Sequence, residues 1–85
     1  MLTQINEPIA VMVRYKQDGK KAVPTMMEWQ NRLYRFSQFG FWHPFRQGRR
    51  LIHVFTVSDG INTFRLEFDT ESLLWTLREI SDGNP

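Results

Sequence analysis

Residues 51–68 read LIHVFTVSDGINTFRLEF, two runs rich in Val, Ile, Phe and Thr on either side of Asp59-Gly60. An Asp-Gly pair between such runs is the strongest short-range signal for a two-residue type I′ hairpin. With that turn Ser58 faces Ile61, and counting outward pairs Val57 with Asn62, Phe55 with Phe64, His53 with Leu66 and Leu51 with Phe68. Asp69-Thr70-Glu71-Ser72 then makes a four-residue turn that sets Phe68 against Leu73, Leu66 against Trp75 and Phe64 against Leu77. Alternate residues of a strand point to opposite sides, so both registers put Leu51, His53, Phe55, Phe64, Leu66, Phe68, Leu73, Trp75 and Leu77 on one face. That face is the expected core. The opposite face carries Ile52, Val54, Thr56, Thr63, Arg65, Glu67, Leu74, Thr76 and Arg78, a mixed surface either open to solvent or partly covered.

Working outward towards the N-terminus, Ile9, Val11, Val13 and Tyr15 form one alternate set before Asp18-Gly19, which predicts a second hairpin. Its return strand contains Pro24, which has no N–H for the ladder and so favours an edge or a bulge. The next segment has two readings. Thr25-Met26-Met27-Glu28 fits a helix capping box, and Met26, Trp29, Leu33 and Phe36 recur at helical spacing, so a helix over 26–39 would make the fold α+β. Turned instead at Gln30-Asn31, the chain is a strand pair with Met27 facing Tyr34 and Thr25 facing Phe36.

The chain has 85 residues and no cysteine, which makes 1–85 a single domain held by packing alone, without disulfides or a thiolate metal site. Its apolar runs are short, and residues 1–7 lack the basic-then-apolar order of a signal peptide. A cytoplasmic protein that does not span a membrane is the expectation. Net charge is only +2, but it is unevenly placed. From Trp29 to Ser58, Arg32, Arg35, Arg46, Arg49 and Arg50 meet no acid, whereas residues 59–85 hold two arginines against six acids.

Glu28-Trp29-Gln30-Asn31-Arg32-Leu33-Tyr34-Arg35-Phe36, then Phe41-Trp42, a basic stretch, Leu51 to Val57, Asp59-Gly60, Phe64 to Phe68 and Trp75 resemble a small, uncharacterised bacterial all-β domain. That domain resembles the accessory module associated with Y-family translesion DNA polymerases and related repair proteins. The likeness spans about residues 8–80. Asn31 stands where the family tends to have Gly, which still suits a turn needing positive φ; Leu51-Ile52-His53 stands where more Arg and Tyr are expected. The resemblance implies a link to DNA repair and brings no catalytic residues. It favours the strand pair over the helix, and with it an all-β fold. About six antiparallel strands would then run as a meander that closes or half-closes into a small barrel, SH3-like or similar, with an ordered core over about 8–80 and frayed ends.

No pattern for catalysis emerges. His43 and His53 have no ligand-spaced acid nearby, no serine sits in a nucleophile motif, and the glycines make no phosphate loop. No cofactor, no metal and no enzymatic activity are expected. The informative stretch is 39–50, FGFWHPFRQGRR, which reads as a loop too long for a tight hairpin. Arginine pairs with phosphate and stacks on rings, and exposed aromatics give a surface for unpaired bases. Phe41, Trp42, His43, Phe45, Arg46, Arg49 and Arg50 are therefore the candidate residues of a loop contacting single-stranded or distorted nucleic acid. The bland reading stands beside it: aromatics plugging the barrel and arginines keeping the loop soluble. A protein-interaction or dimerisation domain using the outer sheet face (Ile52, Val54, Leu74, Ile61, Ile80) is the alternative.

Overall fold

The computed structural model describes residues 1–16 and 22–82, and these contain seven strands and no helix. They are β1 (Leu2–Tyr15), β2 (Ala22–Trp29), β3 (Arg32–Arg35), β4 (Gln38–Gln47), β5 (Arg50–Ser58), β6 (Thr63–Asp69) and β7 (Leu74–Ser81). All pair antiparallel in one sheet of order β3-β2-β1-β7-β6-β5-β4. The all-β expectation holds, and no helix occupies 26–39. Asp18-Gly19 lies outside the described residues.

The sheet curls because β1 serves two neighbours. Leu2 to Ile9 pair with β7, and Ala10 to Tyr15 pair with β2. Between Gln4 and Glu7 the register shifts, at Asn6 with φ 57°, and the Arg78 guanidinium donates to Asn6 Oδ1 at 3.1 Å. Irregularities of this kind bend a strand and increase its twist. The β2–β3 hairpin is thereby carried over the inner face of β5, β6 and β7. Residues expected to fray at the N-terminus are thus part of the ladder, from Leu2 onwards.

The β2–β3 turn is as read. Gln30 and Asn31 have φ of 52° and 61°, both positive as type I′ requires, and Met27 faces Tyr34. From β3 the chain crosses to β4 through Phe36, whose N–H donates to Thr25 O, and Ser37, whose N–H donates to Ser58 O, each at 2.9 Å. The edges β3 and β4 do not pair, so the barrel is half-closed rather than sealed.

Two registers differ from the reading, each by two residues. Asp59 Oδ1 accepts the N–H groups of Ile61 (2.9 Å) and Asn62 (2.8 Å), so the β5–β6 turn takes four residues, not two. Val57 consequently faces Phe64, Phe55 faces Leu66 and His53 faces Phe68. At the next turn, Phe68 faces Trp75 and Leu66 faces Leu77. A slip of two keeps strand side chains on their faces, so the expected core face is the real one except at Leu73, which falls in the turn with φ 62° and is exposed. A shift between Arg65 and Leu66 then sends Ile80 inward, against the core, rather than onto the outer face.

The core is Met27, Phe55, Val57, Phe64, Leu66 and Leu77, covered by Trp29, Tyr34, Phe36 and Phe39. Phe64 sits 5.7 Å from the Tyr34 ring and 5.6 Å from the Phe36 ring, centroid to centroid. Edge-to-face and tilted rings at such spacing add to the burial itself. Ile52 and Val54, on the other face, are also buried. Their register neighbours there are Phe45 and His43 on β4 and Asp69 and Glu67 on β6. Those acids are paired with Arg50 and Arg78, whose long stems can cover apolar surface. No helix among the described residues is long and apolar enough to cross a membrane.

Candidate functional site

Residues 39–50 are not a loop. They form the end-to-end pairing of β4 with β5 around a two-residue turn at Gly48-Arg49, with Gln47 facing Arg50. Gly48 has φ +63°, and glycine at the first central position is the mark of a type II′ hairpin. β4 escapes notice in the sequence because its alternation breaks at a bulge: Phe39 faces Val57, Phe41 faces Thr56, and Gly40 is the extra residue between them. A Cβ at Gly40 would lie 2.9 Å from Thr56 O, so glycine is what lets the strands approach there. Pro44 is tolerated because β4 is a sheet edge.

Strand parity then divides the seven candidate residues. Phe41, His43 and Phe45 share the outer face with Arg50, whereas Trp42 and Arg46 lie on the inner face opposite Phe55 and Leu51. Arg49 is in the turn. The expected single patch therefore does not exist. On the outer face Phe41 stacks on His43 at 5.6 Å and 16°, and His43 Nδ1 is buried without a partner among the described residues. Arg50 is committed to Asp69 at 2.9 Å, with Glu71 at 3.8 Å. Asp69 Oδ1 in turn accepts the Glu71 N–H (2.9 Å) and, at 3.4 Å, the Ser72 N–H. The Glu71 N–H foremost, then the Ser72 N–H and the Arg50 guanidinium, hold the Asp69 carboxyl below the usual carboxylate range, with burial opposing them. Arg46 and Arg49 have no acid partner among the described residues and are exposed.

On the inner face Trp42 stacks on His53 at 5.7 Å and 22°, and its Nε1–H donates to His53 Nδ1 at 2.9 Å. An indole N–H can only donate, so His53 Nδ1 is the acceptor of this bond. From there a chain of rings runs over three strands: His53 to Phe55 at 6.5 Å, Phe55 to Trp75 at 5.4 Å and Trp75 to Phe68 at 4.9 Å. These rings floor a cleft of about 300 Å³ whose other wall is Val13, Tyr15 and Ala22. Thr70 closes one end, its hydroxyl and N–H both donating to Leu51 O at 2.8 and 3.1 Å.

Of the seven candidates, only Trp42 lines this cleft. His53, Phe68, Trp75 and Tyr15 were not singled out as binding residues, since each fits an apolar core row in the sequence. The Gly48 hairpin is the signal that would have found them: once β4 is a strand, parity puts Trp42 beside His53. Among the described residues no three His, Asp or Glu side chains are grouped so as to hold a metal ion. In comparisons with protein-family models, with curated proteins and with solved structures, the chain matches none.

Proposed function

We propose that the protein is a non-enzymatic binding module that contacts single-stranded or distorted nucleic acid through the β4–β5 hairpin. One observation carries the reading. The hairpin tip holds two arginines without acid partners among the described residues, Arg46 and Arg49, on the same strand pair as the exposed rings of Phe41, Trp42 and Phe45. Fixed positive charge attracts the backbone, and half-exposed rings offer faces on which bases stack whatever their sequence. Arg50, held by Asp69, is left a structural role. Phe41 and Phe45, on the far side of the strand from Trp42, serve a second strand segment or none.

The resemblance to the translesion-polymerase accessory module supports a bacterial, cytoplasmic setting in DNA repair. Of the five residues of the alternative, docking of a protein partner or a second copy on the outer face, Ile52 and Val54 are buried and Ile80 turns inward, while Ile61 and Leu74 stay exposed.

The test is a titration of a fluorescent single-stranded oligonucleotide at rising salt. Two neutralised phosphates give a log–log slope of about −1.4, at about −0.7 each for single strands. Arg46→Ala and Arg49→Ala should each flatten that slope by about one phosphate's share. Absence of salt-sensitive binding at low ionic strength refutes the proposal.

A further inference from the structure

We infer that the inner-face cleft is a subsite for one flat aromatic ring, an unpaired base of the bound strand, an assignment that rests on the nucleic-acid reading for its ligand. The volume, about 300 Å³, is at the lower end of small-molecule sites and suits a single ring system rather than a larger ligand. Its floor is built of rings: Trp42, His53, Phe55, Phe68 and Trp75. Such a floor is suited to stacking, in the way aromatic platforms hold bases.

The polar groups point the same way. Among the described residues no lysine, arginine, aspartate or glutamate lines the cleft, so the described lining gives a phosphate or a charged side chain no compensation for lost hydration. His53 Nδ1 is taken by the Trp42 N–H, which leaves Nε2 as the polar atom the ring has to offer the edge of a neutral heterocycle. The charge needed for a backbone lies outside. Arg46 is on the same face of β4 as Trp42, four residues on, about 13 Å at about 3.3 Å per residue. A strand whose phosphates follow Arg46 and Arg49 can turn one base past Trp42 into the cleft. Trp42 and Tyr15 are 43% and 75% exposed, which leaves the rim open to such an entry.

The experiment compares a ten-nucleotide thymidine oligomer with an abasic oligomer carrying the same number of phosphates, each titrated into the ¹⁵N-labelled protein at low salt. The expected result is that the thymidine oligomer binds at least about fivefold more tightly. The indole signals of Trp42 and Trp75 should then shift, and that of Trp29, which is bonded to Glu7, should not. Equal affinity with unmoved indoles overturns the subsite while leaving the nucleic-acid reading intact. If neither oligomer binds, that reading fails, and thymidine and adenosine at millimolar concentration decide the subsite separately. Movement of Trp42 and Trp75 keeps it as a site for a free heterocycle; no movement removes it. Ala22→Phe, which fills the cleft from β2 without touching an arginine, should abolish the difference between the two oligomers and leave the salt slope unchanged. Preference for the thymidine oligomer that survives this substitution would overturn the inference.

Discussion

The inner face of the sheet has two ends built from the same three strands, and they differ in what lies over them. At one end β5, β6 and β7 contribute Val57, Phe64, Leu66 and Leu77, each no more than 1% exposed beneath Met27, Tyr34 and Phe36. At the other end the same strands contribute His53, Phe68 and Trp75, half-buried, with Val13, Tyr15 and Ala22 opposite among the described residues. The cause is the lid. β3 has four residues, and its one ring, Tyr34, reaches Phe64 but does not line the cleft. A hollow lined by rings thus arises where a short strand stops, without any unusual residue type. The packed end holds the fold, and the hollow end is the one we propose for binding.

The largest test of this difference is a matched pair of truncations. Phe64→Ala at the packed end should cost about 3–5 kcal/mol, since it removes a fully buried ring and leaves a cavity. Phe68→Ala borders an existing hollow and loses only partial burial, so about 1–2 kcal/mol is expected. Urea unfolding of the two variants measures both. Equal losses would mean that the two ends are packed alike.

Gly40→Ala comes next. The added methyl meets Thr56 O at 2.9 Å, a backbone atom that can yield only by moving a strand, and overpacking of this kind costs about 1–3 kcal/mol. Because the bulge sets the phase of β4, the same variant should also disturb the Trp42–His53 contact. Loss of stability with an unchanged Trp42 indole signal would show that the phase of β4 is fixed from its Gly48 end instead.

At the packed end, the β5–β6 turn depends on Asp59, which accepts two N–H groups. Asp59→Ala should cost about 1 kcal/mol, the net worth of a typical hydrogen bond or a little more. It should not alter the cleft. This turn also shows how far the sequence could be read. Asp59-Gly60 announced a hairpin, and alternation named the right core face, because face depends on parity alone. The loop length was not legible: Asp-Gly serves a two-residue turn by its backbone and a four-residue turn by its carboxylate, and the choice moves the register by two without moving any side chain across the sheet. Gln30-Asn31 carried a different ambiguity, between a strand pair and a helix over 26–39, and of the two it is the strand pair that the structure shows, with the turn where that reading puts it. β4 was lost for a different reason. Gly40 breaks the alternation, Pro44 argues against a central strand, and the charge of Arg46, Arg49 and Arg50 reads as loop, yet all of these are admissible on an edge strand. With β4 missing, seven chemically apt residues looked like one patch, and the parity that separates Trp42 and Arg46 from Phe41, His43 and Phe45 could not be applied.

The smallest effect concerns the turn that closes the hollow end. The Asp69 carboxyl is held below the usual range chiefly by the Glu71 N–H, with Ser72 and Arg50 contributing, so its charged form is favoured by the folded state. The unfolded chain therefore binds the proton more readily. The stabilisation is complete above the ordinary carboxylate value of about 3.9 and is lost as pH falls from there through the lowered value. Its first consequence should be local. Asp69 orders the turn that carries Thr70, and Thr70 ties that turn to Leu51 O at the closed end of the cleft. Acid should accordingly loosen the hollow end before the packed one, and Asp69→Asn should reproduce the change at neutral pH. Amide exchange compared between wild type and Asp69→Asn at one pH would show faster exchange at Glu71 and Leu73 and an unchanged rate at Phe64. Faster exchange at Phe64 to the same degree would mean that the two ends open as one unit, and the distinction between a holding end and a binding end would fall with it.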